Sequence, residues 1–334
     1  MVTVDGLGDA QAVLASGSDR VASGSPPMPL IVVAGPTASG KSALALALAE
    51  RFRGVVINAD AMQVYRELRV LTARPGPADE ARAPHRLYGV LALAEACSAA
   101  RWRALAVAEI AAARAAGRLP IVTGGTGLYL DVLLRGIAPV PPIPAEVMAA
   151  AARRRARLGA AAFHAALVAR DPEAARLAPG DSQRTLRAWA VIEATGVPLG
   201  VWQRRAPAEP GEPARVFLLA PPRHLLYARC DARFVCMVEA GALAEVAALG
   251  DLDPALPGMK AVGVGALRRH LAGEITLAEA VAAAQKATRR YAKRQLTWFR
   301  HRLHPRTVIA SPDGAEAIAL ASAETRRFLL TAPV

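Results

Sequence analysis

Leu30-Ile31-Val32-Val33-Ala34 runs straight into Gly35-Pro36-Thr37-Ala38-Ser39-Gly40-Lys41-Ser42, and this junction decides the fold. Five apolar, mostly β-branched residues predict a buried parallel strand. The next eight fit G-x-x-x-x-G-K-[ST], and Ala43-Leu44-Ala45-Leu46-Ala47-Leu48-Ala49 continues as a helix. The motif therefore has the strand–loop–helix context that its mechanism requires. Gly35 and Gly40 let successive N–H groups turn inward around a phosphate. The helix N-terminus adds partial positive charge, Lys41 a full one, and the Ser42 hydroxyl can reach a magnesium ion. A diphosphate or triphosphate is the expected ligand.

Outward from this junction, strands alternate with helices. Residues 55–58 read as a second strand ending at Asp60, 84–90 as a short third, and 120–123 as a fourth leading into Gly124-Gly125-Thr126-Gly127. Ser98 is a fitting N-cap for a helix that Gly117 stops, and residues 66–83 read as mostly loop. The alternation predicts an α/β fold with a parallel sheet flanked by helices. Ligands gather at the carboxyl ends of such strands, which brings the phosphate loop, Asp60 and Thr126 toward one crevice.

Pro139-Val140-Pro141-Pro142 marks a boundary, and residues 145–203 are helical without a strand-like run. Residues 215–220 return to strand character. Helices are expected over 240–249, 264–271 and 277–302, then a strand at 308–309 and a terminal helix. The expected division is a P-loop core over 29–139 and 211–330 with an all-helical insertion over 140–210. Residues 1–28 read as a disordered tail or an upstream start, and truncation to Met28 is expected to leave function intact.

The 334 residues carry a net charge of +13, which points to a polyanionic partner. No apolar run reaches the length of a membrane span. Cys97, Cys230 and Cys236 lack metal-ligand spacing and read as buried free thiols in a reducing cytoplasm. Along 277–302, Lys286, Arg289, Arg290, Lys293 and Arg294 share an arc of about 140° without an acid; Arg300 extends the charge. A nucleic-acid backbone is the expected contact. Tyr291 and Trp298 occupy another face and are expected to pack into the core. Asp181-Ser182-Gln183-Arg184-Thr185-Leu186-Arg187 opens a capped helix whose Gln183, Arg184 and Arg187 could hold phosphates or base edges. Asp60 at a strand end could accept a proton or coordinate magnesium. A small-molecule kinase, an RNA-dependent ATPase and a transferase using a diphosphate donor remain open at this level. The want of a second acidic strand weighs against the ATPase.

Five motifs occur in order: Gly35–Ser42, Asp60-Ala61-Met62-Gln63-Val64-Tyr65, Gly124-Gly125-Thr126-Gly127-Leu128-Tyr129, Asp181-Ser182-Gln183-Arg184 and Lys293-Arg294-Gln295-Leu296-Thr297-Trp298-Phe299-Arg300. Together they resemble the bacterial tRNA dimethylallyltransferases, also called tRNA isopentenyltransferases or the IPP transferase family, over about residues 30–303. The resemblance implies transfer of a dimethylallyl group from dimethylallyl diphosphate to N6 of the adenosine following the anticodon. It implies that Gly35, Pro36, Thr37, Ala38, Ser39, Gly40, Lys41 and Ser42 hold the diphosphate, with Mg²⁺ near Ser42. Asp60 would take the N6 proton, with Thr126 and Lys41 completing the catalytic set. Contacts to the tRNA anticodon stem-loop are implied for Asp60, Ala61, Met62, Gln63, Thr126 and Met148. Gln183, Arg184, Thr185, Leu186 and Arg187 would add to these, as would Lys260, Gly263, Lys293, Arg294, Gln295, Trp298 and Arg300. A monomeric cytoplasmic enzyme is expected. The chain departs from the family pattern at Ala61, Leu71, Met148 and Gly263-Val264-Gly265, positions that bear on tRNA contacts. The alternatives are an adenine-nucleotide dimethylallyltransferase and a non-catalytic RNA-binding protein.

Overall fold

A computed structural model describes residues 28–331 except 208, 306 and 312. The expectation for the tail lies outside the described residues, save Met28, whose carbonyl accepts Arg114 Nε at 2.8 Å. Six parallel strands form one sheet: β1 (Leu30–Ala34), β2 (Gly54–Asn58), β3 (His85–Arg86), β4 (Leu119–Gly124), β5 (Ala214–Leu219) and β6 (Thr307–Ile309), in the order β3-β2-β4-β1-β5-β6. β1 is central and buried along its whole length, as an unbroken apolar strand requires. Its residues alternate between two cores. Ile31 and Val33 face α1 (Lys41–Arg51) and α13 (Gly314–Thr331), while Leu30 and Val32 face α3 (Ala99–Ala115) and α4 (Gly127–Arg135). β1 connects through α1 toward β2 on one side, and β4 leads eventually to β5 on the other. The carboxyl ends on either side of β1 therefore open a crevice where the chain reverses direction across the sheet.

Helices α5 (Ala145–Leu158), α6 (Ala160–Arg170), α7 (Ser182–Thr195) and α8 (Leu199–Arg204) lie between β4 and β5 in the chain. Phe163, Leu167, Trp189 and Ile192 form a core of their own, with Arg154 and Arg170 over the Trp189 ring at 4.7 and 4.8 Å. A further core joins α9 (Arg223–Glu239), α10 (Ala242–Ala247), α11 (Val264–Leu271) and α12 (Leu277–Arg302) to Leu68, Leu71 and Leu93. α12 starts with a reciprocal cap between Thr276 and Glu279, which explains its sharp beginning.

Residues 66–83 are mostly loop, as expected, apart from α2 (Pro77–Arg82), which Pro77 opens at its first position and where Asp79 takes the Gly76 N–H at 3.2 Å. Three expectations are corrected. α9 fills a stretch where no helix was expected. The helix expected over 240–249 is shorter, starting after Gly241 (φ +100°). Of the cysteines only Cys230 is buried; Cys97 is half-buried and Cys236 exposed. Among the described residues, no helix is long and apolar enough to cross a membrane.

Candidate active site

The site is assembled where β1, β2 and β4 end. Gly35 leaves β1 so tightly that an added Cβ would stand 2.6 Å from Ser39 Oγ and 3.1 Å from the Leu219 carbonyl. Gly40 (φ +92°) and Ala38 (φ +62°) take left-handed conformations that curl the loop. Lys41 folds back over it, its Nζ 3.3 Å from the Pro36 carbonyl. Burial pulls the Lys41 ammonium down to about 8; Asp60 opposes that shift and Arg233 adds to it. The Thr37 N–H is not available to a phosphate, since it donates to Gln295 Oε1 at 2.9 Å.

Asp60 follows β2 and is held by its buried neighbour. Asn58 Oδ1 accepts the Asp60 N–H at 2.8 Å, and Asn58 Nδ2 donates to the carbonyls of Asp60 and Leu87, both at 3.0 Å. One Asp60 carboxylate oxygen accepts the Met62 N–H at 2.9 Å. Thr126 precedes α4 and stands beside this segment: its Oγ1 accepts the Ala61 N–H at 2.9 Å, and its own N–H donates to the Ala59 carbonyl at 3.2 Å. Only glycine permits the approach, because a Cβ on Gly124 would meet that carbonyl oxygen at 2.1 Å. The strand-end rule thus brings the phosphate loop, Asp60 and Thr126 to one place.

A cavity of about 80 Å³ opens beside Thr37 of the loop and Asp60. Thr37, Asp60 and Arg233 supply its polar side, and Met62, Leu71, Phe234, Met237 and Val262 its apolar side. Arg233 and Tyr291 were not picked out as site residues from the sequence. Burial lowers the Arg233 pKa while Asp60 draws it up. Tyr291 faces the cavity instead of packing into the core; burial foremost, and then Asp60, raise its phenol pKa, while the nearby Thr126 side chain opposes the shift. Arg233 stands in α9, outside any motif. The only signal was its place in the Arg233-Phe234-Val235-Cys236-Met237 run, a cation flanked by large apolar residues.

The oxygen donor offered to a magnesium ion is Ser42, exposed in the first turn of α1. Magnesium takes one or two protein oxygens plus substrate phosphates and water, and a lone hydroxyl beside a phosphate loop fits that habit. Among the described residues no cluster of three His, Cys, Asp or Glu side chains is placed to hold a metal by itself.

The residues expected to meet tRNA divide. Lys286, Arg290, Lys293, Arg294 and Arg300 are exposed on α12, and Gln183, Arg184 and Lys260 are exposed elsewhere. Arg187 is half-buried, with its pKa lowered by burial. Arg289 is drawn off the cationic face by Asp231 of α9 at 2.5 Å. Thr185 is fully buried, its hydroxyl donating to the Asp181 carbonyl at 2.8 Å. Gln295 is 5% exposed with both polar atoms engaged internally. The Gln63 amide donates to the carbonyls of Thr72 and Ala73 at 2.9 and 3.1 Å, so it holds the neighbouring loop. Gly263 (φ +103°) is packed under Phe234, while Met148 and Leu186 lean on the core of α5–α7. Trp298 covers Gly127, whose added Cβ would stand 2.3 Å from the indole. Thr185, Gln295 and Gly263 are buried in the protein without tRNA.

A cationic loop, an apolar pocket and a carboxylate side by side suit an ester of diphosphate with a short apolar group and an acceptor that loses a proton. Comparison with known proteins agrees with that chemistry. The IPP transferase family profile matches residues 63–302. tRNA dimethylallyltransferase of Rhodospirillum centenum is 59% identical over 281 residues, 82% of this chain and 89% of its own. That of Nitrobacter hamburgensis is 56% identical over 292 residues, covering 86% and 92%. The crystal structure of tRNA isopentenylpyrophosphate transferase from Bacillus halodurans superposes with a TM-score of 0.65 at 30% identity, covering 90% of this chain and 96% of that one. A eukaryotic dimethylallyltransferase acting on tRNA shares the fold at 22% identity and a TM-score of 0.74, covering 92% and 81%. On this sequence similarity, which spans nearly all of the described residues, the chain belongs to the IPP transferase family.

Proposed function

We propose that this protein is a tRNA dimethylallyltransferase, moving the dimethylallyl group of dimethylallyl diphosphate to N6 of the adenosine after the anticodon. The observation that carries the reading is the apolar cavity abutting the phosphate loop with Asp60 in its wall. The loop N–H groups from Gly40 to Ser42, with Lys41 and Arg233, would grip the diphosphate, and Met62, Leu71, Phe234 and Met237 would enclose the five-carbon tail. N6 attacks the allylic carbon, the carbon–oxygen bond breaks, diphosphate departs, and the N6 proton passes to Asp60. The fixed cations act where charge develops on the leaving group. Magnesium held by Ser42 and the diphosphate would add further neutralisation there. An adenine stacked in the anticodon loop must turn out of its stack to reach so enclosed a site. The exposed cations of α12 would hold the surrounding phosphates.

The test is a transfer assay with labelled dimethylallyl diphosphate and magnesium, offering unmodified tRNA and free AMP separately. Label in tRNA alone is expected. Label in AMP would move the acceptor to nucleotides, and label in neither would remove the activity.

A further inference from the structure

Gln295 lies on α12 beside Lys293 and Arg294, yet its side chain points the opposite way, into the protein. Its Oε1 accepts the Thr37 N–H at 2.9 Å, and its Nε2 donates to the Gly125 carbonyl at 2.9 Å. These partners are 258 and 170 residues away in the chain. The amide is thereby engaged through both its oxygen and its nitrogen, and a Cβ on Gly125 would stand 2.2 Å from that nitrogen. A buried amide is expensive to desolvate and to immobilise, and a leucine would fill the same space at less cost. What the amide supplies is orientation. It fixes the Thr37 peptide, from which the rest of the phosphate loop springs, and it engages the Gly125 carbonyl in the turn after β4.

We propose that Gln295 is a positioning residue for the diphosphate, locking the phosphate loop to the turn after β4. Donor affinity depends on it, and tRNA affinity does not. This rests on the reading of the loop as a diphosphate site. The surroundings also distinguish two ways of replacing it. Gln295→Leu removes both hydrogen bonds. Gln295→Glu restores both while its carboxyl is protonated, and sets two oxygens against each other at Gly125 once it ionises.

The experiment is calorimetric titration of the full chain with magnesium pyrophosphate, alongside tRNA binding, for the parent and both variants. Gln295→Leu is expected to weaken pyrophosphate binding roughly tenfold, the effect of losing about two hydrogen bonds. It should raise the donor KM at near-parent kcat and leave the tRNA Kd alone. Gln295→Glu is expected to match the parent at low pH and to fall behind between about pH 5 and pH 8, where a buried carboxyl ionises. Lys41, Asp60 and Arg233 are the charged groups of the site, and they are common to both proteins. Each variant is therefore read as a ratio to the parent at the same pH. Parent-like pyrophosphate affinity in Gln295→Leu overturns the proposal, as does a loss confined to tRNA. If Gln295→Leu fails to fold, the glutamate series decides, and a ratio unchanged by pH overturns it. A parent that binds no pyrophosphate would instead overturn the reading of the loop itself.

Discussion

Asp60 combines two tasks in one carboxylate. One oxygen pins the Met62 N–H, and the side chain faces the cavity. Asp60→Asn keeps an acceptor for Met62 and removes the base. Its expected effect is a fall in kcat of about 10²–10⁴-fold with tRNA affinity retained, read by single-turnover transfer. An unchanged rate would end the assignment. Lys41 yields a pH prediction. Its ammonium titrates near 8, against 10.5 for an unburied lysine. The grip on pyrophosphate should therefore weaken as pH rises from 8 to 9, and a Lys41→Met variant should lack that limb. The sign for stability is opposite. Between 8 and 10.5 the unfolded chain binds the extra proton, so this group makes the free protein more stable as pH rises through that window. Lys41, Asp60 and Thr126 were legible in the sequence because each stands in a contiguous motif that follows a strand. Arg233 and Tyr291 reach the cavity only through the packing of α9 and α12. Gln295 was legible as part of a motif but not in its direction, since helical position alone does not say which face meets the core.

At the scale of elements, α12 carries two kinds of cation. Lys293 and Arg294 are exposed, whereas Arg289 is committed to Asp231. Replacing Lys293 and Arg294 with alanine should lower the slope of log K against log salt by about 1.4–1.8 if each neutralises one phosphate. Arg289→Ala should leave the slope near that of the parent, and equal effects from both would contradict the division. The loop after Asp60 depends on α10. The Glu245 carboxylate accepts the N–H groups of Arg69, Val70 and Leu71 at 2.5, 2.7 and 2.8 Å. Glu245→Ala leaves these donors without that acceptor and is expected to cost about 2–3 kcal/mol in urea unfolding. An unshifted midpoint would mean water replaces it freely. The helices read correctly in advance had terminal signals, such as Ser98 before α3 and Thr276 before α12. α9 had none: Pro222 gives no side-chain cap, its first turn has no acid and its last turn no base. α2 was missed for the opposite reason, since Pro77 breaks a helix in its middle but starts one at its first position.

Across the whole molecule, the alternation of apolar strands and helices revealed a parallel sheet, while strand order came only with the structure. Nothing local states that β1 lies between β4 and β5. The connection that returns to β5 is clamped by a buried arginine. Arg103 Nε donates to the Val132 carbonyl at 3.0 Å and Nη2 to the Pro210 carbonyl at 2.8 Å, with Glu209 as its ion-pair partner. Glu209 is largely exposed, so removing Arg103 strands two carbonyls more than it strands a charge. Arg103→Met should cost about 1–3 kcal/mol. It should quicken amide exchange around residues 209–213 and leave pyrophosphate affinity unchanged. A lost affinity would show that the clamp reaches the site.

The brace between Thr37 and Gln295 also sets a schedule. Its two ends are 258 residues apart, and a ribosome adding about 5–20 residues per second needs on the order of tens of seconds to make both. During synthesis the phosphate loop emerges early and waits, unbraced, for a helix near the far end of the chain. A nascent chain stalled before residue 295 should therefore hold pyrophosphate poorly, however well its first strands have paired.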